Sequence, residues 1–500
     1  MKLLYVLLLC VSFFIDISAQ IFVAVDGDDS GPGTIDQPLK TISSAVSKTQ
    51  AGDTIFVRGG VYSLSATISI SKSGSENNRY FLISYKDERP LLDFSSMPVN
   101  SSNRGIKLSG SYWYIKGIDI KGAGDNGMNM SGSNNIIEFC SFYENSDTGL
   151  QIGGGASNNK IINCDSYFNE DPGQGNADGF AAKLDVGTDN YFYGCRAWQN
   201  SDDGWDGYLR GADDVSTSIE NCWCFANGYL KDGSASSGNG NGYKMGGSDD
   251  KTLMHNFTLK KCLAFDNRVK GFDQNNNKGS MTLYNCTGYG NGTNYSITSV
   301  LDTSKSATII NSIALGNYGL LAGFVFQQTD SWQSPFSITN DDFISIDTAG
   351  VRGPRKSDGS LPYLQFMHLA EGSDLIDSGT DVGLLFNGSA PDLGAFESNG
   401  IVSVALNNFN SPKEFKLLQN YPNPFNPTTN IGFSITEKGS VNLEVYNVLG
   451  ELVASLINNE LKEPGNYIVN FNTAGLASGT YIYILKAGKN ILSRKMTLLK

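Results

Sequence analysis

CSFYEN at positions 140–145, CDSYFN at 164–169 and CRAWQN at 195–200 are copies of one motif, Cys-x4-Asn, and this motif decides the fold. It recurs as CWCFAN at 222–227, CLAFDN at 262–267 and CTGYGN at 286–291, with Ser312 and Asn317 as a serine variant. Successive copies begin 24 to 40 residues apart. A repeat of this length cannot bury its own apolar face, but turns stacked about 4.8 Å apart share a continuous core. The motif therefore predicts a parallel β-helix.

The same repeat accounts for the cysteines. Of the eight in the chain, Cys10 lies in the apolar N-terminal stretch, and six occupy the same place in consecutive turns. Because small buried thiols pack well, we predict a ladder of free core thiols rather than a disulfide framework. The asparagines are predicted to form a parallel ladder that hydrogen-bonds the backbone at a bend. Metal binding by cysteine is disfavoured, since no Cys-x2-Cys pair is present.

A second register runs through the same turns, in which a glycine precedes a large apolar residue. The pairs are Gly149-Leu150, Gly179-Phe180, Gly204-Trp205, Gly242-Tyr243 and Gly271-Phe272, and inserted loops at 170–177 and 228–241 delay two of them. If the apolar residue points inward, strand alternation turns the next residue outward. The two flanking columns are Thr148, Asp178, Asp203, Asn241 and Lys270 before the glycine, and Gln151, Ala181, Asp206, Lys244 and Asp273 after the apolar residue.

These columns predict a metal site. Asp178, Asp203 and Asp206 fall on neighbouring turns, and Asp202 lies beside them. Four converging carboxylates cannot all stay ionised without a cation, and an all-oxygen donor set is what Ca²⁺ prefers. The alternative for residues 201–204 is a plain polar turn, which the register with Asp178 and Asp206 disfavours.

Lys244 is the single lysine of its column and lies about one turn from the acidic cluster. One interpretation is a surface lysine paired with Asp206 or Asp273. The other is a general base, which requires a pKa lowered toward the working pH, and a nearby cation lowers it.

At this point the chain resembles polysaccharide lyase family 9, the pectate lyases. The likeness rests on NADGFAAK (176–183), NSDDGWD (200–206), GNGYKMGG (240–247), the stretch 267–285 and the opening motifs VDGD (25–28) and GGVY (59–62). The resemblance implies an all-β, right-handed parallel β-helix of about ten turns. It also implies Ca²⁺ bound by Asp178, Asp202, Asp203 and Asp206, with Lys244 as the base of a β-elimination on a 1,4-linked acidic polysaccharide. Gly207-Tyr208 departs from the family pattern, where an apolar residue is usual.

Four further residues are weaker candidates for binding the substrate. Lys183, Arg268 and Lys270 could contact its carboxylates, and Asp273 continues the outward column. For each cation the alternative is an ordinary surface position.

Three other functions fit a β-helix. A glycoside hydrolase could use Asp202 and Asp203 as acid and base, but related hydrolases need a Gly-His-Gly motif, and His255 and His368 lack it. A lyase acting on alginate or a glycosaminoglycan is the second alternative. The third is a non-catalytic surface adhesin, because β-helices also serve as rods.

The two ends of the chain indicate export. Residues 1–19 form a predicted signal peptide, with Lys2 before a short apolar run, and no later segment is apolar enough to cross a membrane. Residues 398–412 read as a linker, and 413–500 alternate as a small antiparallel β-sandwich. YPNPFNP (421–427), GLASGTY (475–481) and Lys495-Met496 resemble the C-terminal sorting domain of the type IX secretion system; a carbohydrate-binding sandwich is the alternative. This likeness implies a secreted or cell-surface protein.

A helical face formed by Leu39, Ile42, Ala45 and Val46 is predicted to cap the open N-terminal end of the β-helix domain, residues 20–397.

The net charge of −13, from 37 basic and 50 acidic residues, excludes a nucleic-acid binder of the usual basic kind. The family resemblances imply an acidic polysaccharide and the type IX secretion machinery as partners, and we expect a monomer.

Overall fold

The computed structural model describes residues 19–356, 358–398, 415–417, 420, 423, 425–462, 465–473 and 475–499. The chain divides into two compact units, Met1–Ile401 and Val402–Lys500. The predicted signal peptide and linker lie almost entirely outside the described residues. In the described part of the chain, no helix combines the length and apolar character needed to span a membrane.

The first unit is a coil built from three parallel sheets, to which each turn contributes one strand apiece. The first sheet comprises Gln20–Val23, Thr54–Val57, Tyr80–Ser84, Trp113–Lys116, Ile136–Glu138, Lys160–Ile162, Asn190–Tyr193, Val215–Glu220, His255–Lys260, Met281–Tyr284, Ala307–Ile310 and Phe326–Gln328. The second comprises Gly60–Ser63, Pro90–Asp93, Asp119–Lys121, Ser141–Tyr143, Asp165–Tyr167, Arg196–Trp198, Trp223–Phe225, Leu263–Phe265, Thr287–Tyr289 and Ile313–Leu315. The third comprises Ile68–Ile70, Ile106–Leu108, Met128–Met130, Leu150–Ile152, Phe180–Ala182, Trp205–Asp206, Tyr243–Lys244, Lys270–Asp273, Thr293–Ile297 and Gly319–Leu321. The predicted parallel β-helix is therefore confirmed.

The Cys-x4-Asn motif marks two of the sharp bends of each turn. The residue before each cysteine has a positive φ, as at Phe139 (55°) and Asn163 (51°), and so does the residue before each asparagine, as at Glu144 (55°). A single left-handed residue turns the chain without breaking strand pairing on either side. The motif therefore lies where the chain passes from the first sheet through the second toward the third.

Both predicted ladders are present in the core. All seven cysteines of the described residues are buried free thiols, and Ser312 continues their column by accepting the Cys286 amide at 3.3 Å. The asparagine side chains hydrogen-bond one another from Asn145 to Asn291 at 2.8–2.9 Å per step. Asn317 is wrongly placed by the sequence, because it is exposed and lies outside this ladder. A second ladder, from Asn135 through Asn159 to Asn190, was not predicted.

Large aromatic side chains stack inside the third sheet, as the glycine register predicts. Centroid separations are 4.9 Å for Phe180–Trp205, 5.0 Å for Trp205–Tyr243 and 5.2 Å for Tyr243–Phe272. The strands pair Phe180 with Trp205, Trp205 with Tyr243 and Tyr243 with Phe272. The next residue on each strand therefore faces outward, on one aligned column.

The N-terminal end is covered by the predicted helix, which spans Ile42–Lys48. Thr41 caps it by accepting the Ser44 amide at 3.1 Å, and Ile42, Ala45 and Val46 are buried. The helix ends at Lys48, because Thr49 is already extended, and the prediction was wrong to include Leu39, which lies before the helix in a β-bridge with Val23.

The segment after the last turn packs on the outer face of the second sheet, with a short 3-10 helix at Asn340–Asp342. Arg355 from this segment reaches Asp165 with contacts of 2.6 and 3.2 Å. Arg196 binds the same carboxylate at 2.9 and 2.8 Å. Burial opposes the charge on Asp165, but the two guanidinium groups outweigh it and hold its pKa below the ordinary value. This ion cluster ties the segment to the coil.

The second unit contains two antiparallel sheets around one apolar core. One sheet comprises Lys416–Leu417, Thr428–Ile435 and Gly465–Asn472; the other comprises Leu452–Lys462, Gly439–Asn447, Gly479–Ala487 and Asn490–Leu498. The apolar residues that alternate along the two central strands, Val441, Leu443, Tyr483 and Leu485 among them, are buried. The predicted small β-sandwich is confirmed.

Candidate active site

A cleft of about 370 Å³ lies on the outward side of the third sheet. It is lined by Ser101, Arg104, Asp125, Asn126, Asp147, Gln151, Gly175, Asn176, Lys183, Leu184, Asp202, Asp206, Tyr208, Arg210 and Lys244. The register that aligns this column pairs Ala181 with Asp206 and Asp206 with Lys244. The predicted alignment is thus correct despite the loop inserted at 228–241.

Three of the four predicted metal ligands come together at one point. Asp178, Asp202 and Asp203 each place a carboxylate oxygen within 4.8 Å of the others, and all three are buried. Asp178 and Asp203 occupy the position before the glycine on adjacent turns, and the Asp203 amide donates to Asp178 Oδ1 at 3.2 Å. The strand register therefore brings Asp178 and Asp203 together on adjacent turns.

The inserted loop 228–241 holds two of these carboxylates with its backbone. The Asn239 amide donates to Asp202 Oδ1, and the Asn241 amide donates to Asp203 Oδ1 at 2.8 Å. A Cβ at Gly238 would lie 2.2 Å from the Gln174 carbonyl oxygen, so the loop can pass here only with glycine. Sequence reasoning identified the insertion but not this function, because backbone donors leave no sequence signal.

Asp206 is separated from the other three by its partners. Lys244 Nζ lies 3.3 Å from Asp206 Oδ1, and Lys183 Nζ lies 3.5 Å from Asp206 Oδ2. Lys183 also donates to Asp178 at 2.6 Å, and Lys244 Nζ lies 3.0 Å from Asp203 Oδ2. The site therefore contains four carboxylates and two ammonium groups, and each lysine contacts two of the carboxylates.

The charges of this cluster shift its titrations strongly. Burial and the Asp203 carboxylate raise the pKa of Asp202 to about 7. Burial also raises the pKa of Asp178 well above its ordinary value, although Lys183 partly offsets the effect. Burial disfavours the charge on Lys244, yet Asp203 and Asp206 outweigh it and raise the pKa of that lysine well above its ordinary value. Four carboxylates face only two ammonium groups, so the raised pKa values of Asp178 and Asp202 favour their protonated forms when no cation is bound.

These residues fit a hard divalent cation. The donor set consists only of carboxylate oxygens, which Ca²⁺ and Mg²⁺ prefer over nitrogen or sulfur ligands. The three ligand atoms within 4.8 Å are buried and lack full compensation. Asp206 lies next to them and could complete the set once a cation takes over the role of the lysines.

Tyr208 forms the rim of the cleft beside Lys244. The ammonium of Lys244 lies 5.6 Å from the centre of the Tyr208 ring. The Tyr208 hydroxyl donates to Asp249 at 2.7 Å, and Arg210 reaches the same carboxylate at 3.0 Å. The departure from the family pattern at Gly207-Tyr208 therefore places an aromatic ring against the predicted base.

The remaining predicted substrate contacts lie further out. Arg268 donates to the Gly238 carbonyl, and its stem packs about 3.0 Å from a Cβ built on Gly228, so it supports the inserted loop. Lys270 pairs with Asp273 at 2.9 Å, and Asp273 is buried one turn beyond Lys244. None of the three is among the residues that line the cleft.

Sequence reasoning missed a second acidic pair in the same cleft. Asp125 and Asp147 lie at equivalent places on adjacent turns, since Met128 pairs with Leu150. They fall in the column that contains Asp202, one residue before the column that the sequence analysis followed. Extending the alignment by that one position would have identified them.

Neither histidine is placed for catalysis as a hydrolase would need. His255 is fully buried between the Thr217 hydroxyl and the Gly207 carbonyl, each at 2.8 Å, and burial lowers its pKa to about 4. His368 stacks on Phe396 at 4.2 Å, away from the cleft lining. Both are structural in this fold.

Comparisons with known proteins agree with this architecture. A family model described as the Pel9A-like, right handed β-helix region matches residues 21–320. A second, described as a secretion system C-terminal sorting domain, matches residues 419–498. The coil is therefore right-handed, and the antiparallel unit is a sorting domain, as predicted.

Individual relatives cover the same part of the chain. Pectate lyase L of Dickeya dadantii is 37% identical over 392 residues, which cover 76% of this chain and 90% of that protein. The crystal structure of pectate lyase Pel9A matches with a TM-score of 0.72 at 36% identity, covering 77% of this chain and 97% of that one. A rhamnogalacturonan lyase matches with a TM-score of 0.63 at 26% identity, covering 70% and 96%.

Proposed function

The chain belongs to the Pel9A-like right-handed β-helix family, and on that premise we propose that it is a secreted lyase that cleaves pectate by β-elimination. One observation carries the proposal: Lys244 lies against a cluster of buried carboxylates inside an open cleft. A lyase needs a base and a means of stabilising charge on the substrate carboxylate, and no water-activating pair. Neither histidine lines the cleft, which disfavours the hydrolase alternative.

We propose that Asp178, Asp202, Asp203 and Asp206 hold a Ca²⁺ ion. The buried oxygen donors and the raised pKa values of Asp178 and Asp202 support this assignment. When bound, the ion would offset the carboxylates that keep Lys244 protonated and would neutralise the carboxylate on carbon 6 of the uronate.

Lys244 then acts on the substrate as the base. Its neutral Nζ takes the proton from carbon 5, the C–H electrons form a double bond to carbon 4, and the bond from carbon 4 to the glycosidic oxygen breaks. The leaving oxygen takes a proton from water. Lys183, at 2.6 Å from Asp178, remains positively charged beside the site and attracts the polyanionic substrate.

We assign the four regions of the chain as the sequence divides them: a signal peptide at 1–19, the catalytic β-helix at 20–397, a linker at 398–412 and a sorting domain at 413–500. The match of the sorting domain supports export to the cell surface or beyond. We infer that the type IX machinery recognises this domain and that the catalytic unit works as a monomer.

The activity is tested with polygalacturonate at alkaline pH, with Ca²⁺ or with a chelator. We expect a Ca²⁺-dependent rise in absorbance from the unsaturated uronide. Alginate and a glycosaminoglycan serve as parallel substrates. Reducing ends without that absorbance would establish a hydrolase, and the absence of both signals on every polymer would leave the adhesin alternative.

A further inference from the structure

A second cavity lies on the outer face of the second sheet, where the segment after the last turn packs against the coil. Its volume is about 340 Å³, within the range of about 300–1,000 Å³ that is usual for small-ligand pockets. Its lining contains four arginines and, among the described residues, a single carboxylate, that of Asp165. The arginines are Arg89, Arg196, Arg352 and Arg355. The cavity is therefore rich in positive charge.

The same turns of the coil carry this cavity and the candidate active site. The second-sheet strand Asp165–Tyr167 is followed along the chain by the third-sheet strand Phe180–Ala182, and Arg196–Trp198 is followed by Trp205–Asp206. Asp178 stands just before the first of these third-sheet strands. A polymer held in the cavity would therefore stay beside the cleft.

Three of the four arginines are occupied by partners. Arg196 and Arg355 share Asp165, and Arg89 binds Asp119. All five N–H groups of Arg355 have acceptors. Burial opposes the charge on Arg355, but the Asp165 carboxylate outweighs it and raises the pKa of that guanidinium. These three side chains therefore serve mainly to hold the cavity walls together.

Arg352 differs from the other three. Its guanidinium lies 5.8 Å from the centre of the Phe225 ring, and within the described part of the chain it forms no hydrogen bond or ion pair. Partial burial lowers its pKa, and the more distant charge of Asp266 only partly offsets this effect. All five of its N–H groups are thus available to a ligand.

The chemistry of the lining selects an anion with oxygen acceptors. Guanidinium groups only donate hydrogen bonds, and their planar fork matches a carboxylate. The rings of Tyr167 and Trp198 line the same cavity and stack 4.3 Å apart, so they add apolar surface beside the charge. A uronate unit offers both a carboxylate and the C–H groups of a sugar ring.

We propose that this cavity is a second, non-catalytic binding site for a uronate unit of the acidic polysaccharide, with Arg352 as the group that binds its carboxylate. The inference rests on the proposed lyase function and adds a site to it. A chain held on the second sheet remains near the cleft between cleavages. The site therefore lowers the KM for the polymer and takes no part in the bond-breaking step.

The test is the binding of trigalacturonate to Arg352→Gln, measured by isothermal titration calorimetry with a chelator present to prevent turnover. We expect its Kd to be about fivefold to tenfold higher than that of the wild type, because a charged hydrogen-bond donor is lost. Lys244→Ala should bind the trimer as the wild type does under these conditions, because Lys244 lies outside this cavity. On polygalacturonate with Ca²⁺, Arg352→Gln should raise KM about threefold and leave kcat unchanged.

The matched control is Lys160→Gln. Lys160 is exposed on the first sheet and lines neither the cavity nor the cleft, so this variant removes one positive charge elsewhere. It should leave Kd and KM unchanged within twofold. The urea midpoint of Arg352→Gln should equal that of the wild type, because the substitution breaks no hydrogen bond. Inorganic phosphate at the concentration of the trimer should displace little of it.

Three results would overturn the inference. A Kd of Arg352→Gln within twofold of the wild type would mean that Arg352 binds no carboxylate. Displacement of the trimer by an equal concentration of phosphate would mean that the cavity accepts any small anion. Equal weakening by Lys244→Ala would place the trimer in the cleft. If the wild-type protein forms no unsaturated product from any polymer, the proposed function itself fails, and the calorimetry, which needs no turnover, remains a separate result.

Discussion

The coil balances the charge of its buried carboxylates in two different ways. One is seen at Asp165 on the second sheet, and the other in the cluster of Asp178, Asp202 and Asp203 on the third. Asp165 is 13% exposed and receives two guanidinium groups that lower its pKa. The cluster is buried, shares two lysines among four carboxylates, and has raised pKa values at Asp178 and Asp202. A carboxylate whose charge is fully balanced by arginines stabilises the fold. Carboxylates whose charges are only partly balanced by lysines can bind a cation.

The difference teaches where chemistry can arise in a repetitive fold. In the asparagine ladder identical side chains satisfy one another turn after turn. On the outward column the residue changes at every turn, from Ala181 to Asp206 to Lys244. The repeated asparagines hold successive turns in register. The side chains of the outward column, which differ from turn to turn, are therefore held at a fixed distance from one another.

The largest effect should come from removing the proposed base. Lys244→Ala is expected to lower kcat on polygalacturonate by about 10³-fold, since general base catalysis contributes roughly 10² to 10⁴. Unsaturated-uronide absorbance measures the rate. Tryptophan fluorescence during urea unfolding serves as the control, because all five tryptophans lie in the first unit. Activity within tenfold of wild type would refute the assignment.

The compensated carboxylate should dominate stability instead. Asp165→Asn leaves Arg196 and Arg355 without their anion and is expected to lower the free energy of unfolding by about 3 kcal/mol. Urea titration followed by tryptophan fluorescence measures this loss. Ca²⁺ affinity should be unchanged, because Asp165 lies outside the cleft lining. A weaker affinity would show that the two carboxylate environments are coupled.

The pH dependence of the chelated protein should separate the two environments further. The pKa of Asp202 is raised in the fold, so its stabilising contribution is present below its ordinary value of 3.8 and is lost as pH rises through about 7. We expect the wild type to lose about 1–2 kcal/mol relative to Asp202→Asn across this window. Asp165, with a lowered pKa, contributes in the opposite direction and loses its contribution on acidification.

Urea titrations of both proteins at several pH values, with chelator, measure that difference. Added Ca²⁺ should restore the wild type above neutral pH and should stabilise Asp202→Asn less. Parallel pH profiles for the two proteins would contradict the raised pKa of Asp202.

The smallest effect belongs to an exposed carboxylate. Asp249 is 68% exposed and pairs with Arg210 at 3.0 Å, and such surface pairs contribute little. Asp249→Asn is expected to leave the urea midpoint unchanged within error. A clear destabilisation would mean that the Tyr208 rim, which Asp249 also binds, carries more of the fold than its exposure indicates.

Much of this arrangement was predictable from the sequence, because residues at equivalent positions of successive repeats lie next to one another in the coil. The placement of Asp206 beside Lys244 survived a long insertion, since the glycine register resets after it. The folding of loop 228–241 onto Asp202 was not predictable, because it depends on backbone donors and on the fit of Gly238. Lys183 reaches the cluster through a long flexible side chain, which sequence position alone leaves undirected.

Other errors have equally local causes. Asn317 has the motif spacing but follows the last rung, so no further asparagine holds it and it stays exposed. Asp147 was overlooked because it stands one position outside the columns that were followed. In both cases the repeat spacing was predicted correctly, but the residues next to the position in the adjacent turn or column were not considered.

The buried thiol ladder allows the opening of the coil to be measured. Every cysteine among the described residues is buried and unpaired, so an alkylating reagent can label only molecules that have opened. In an oxidising medium, opened chains can also form mismatched disulfides and become trapped. Burial in the folded coil thus protects the thiols from oxidation. The rate of thiol labelling under native conditions reports how often the coil opens.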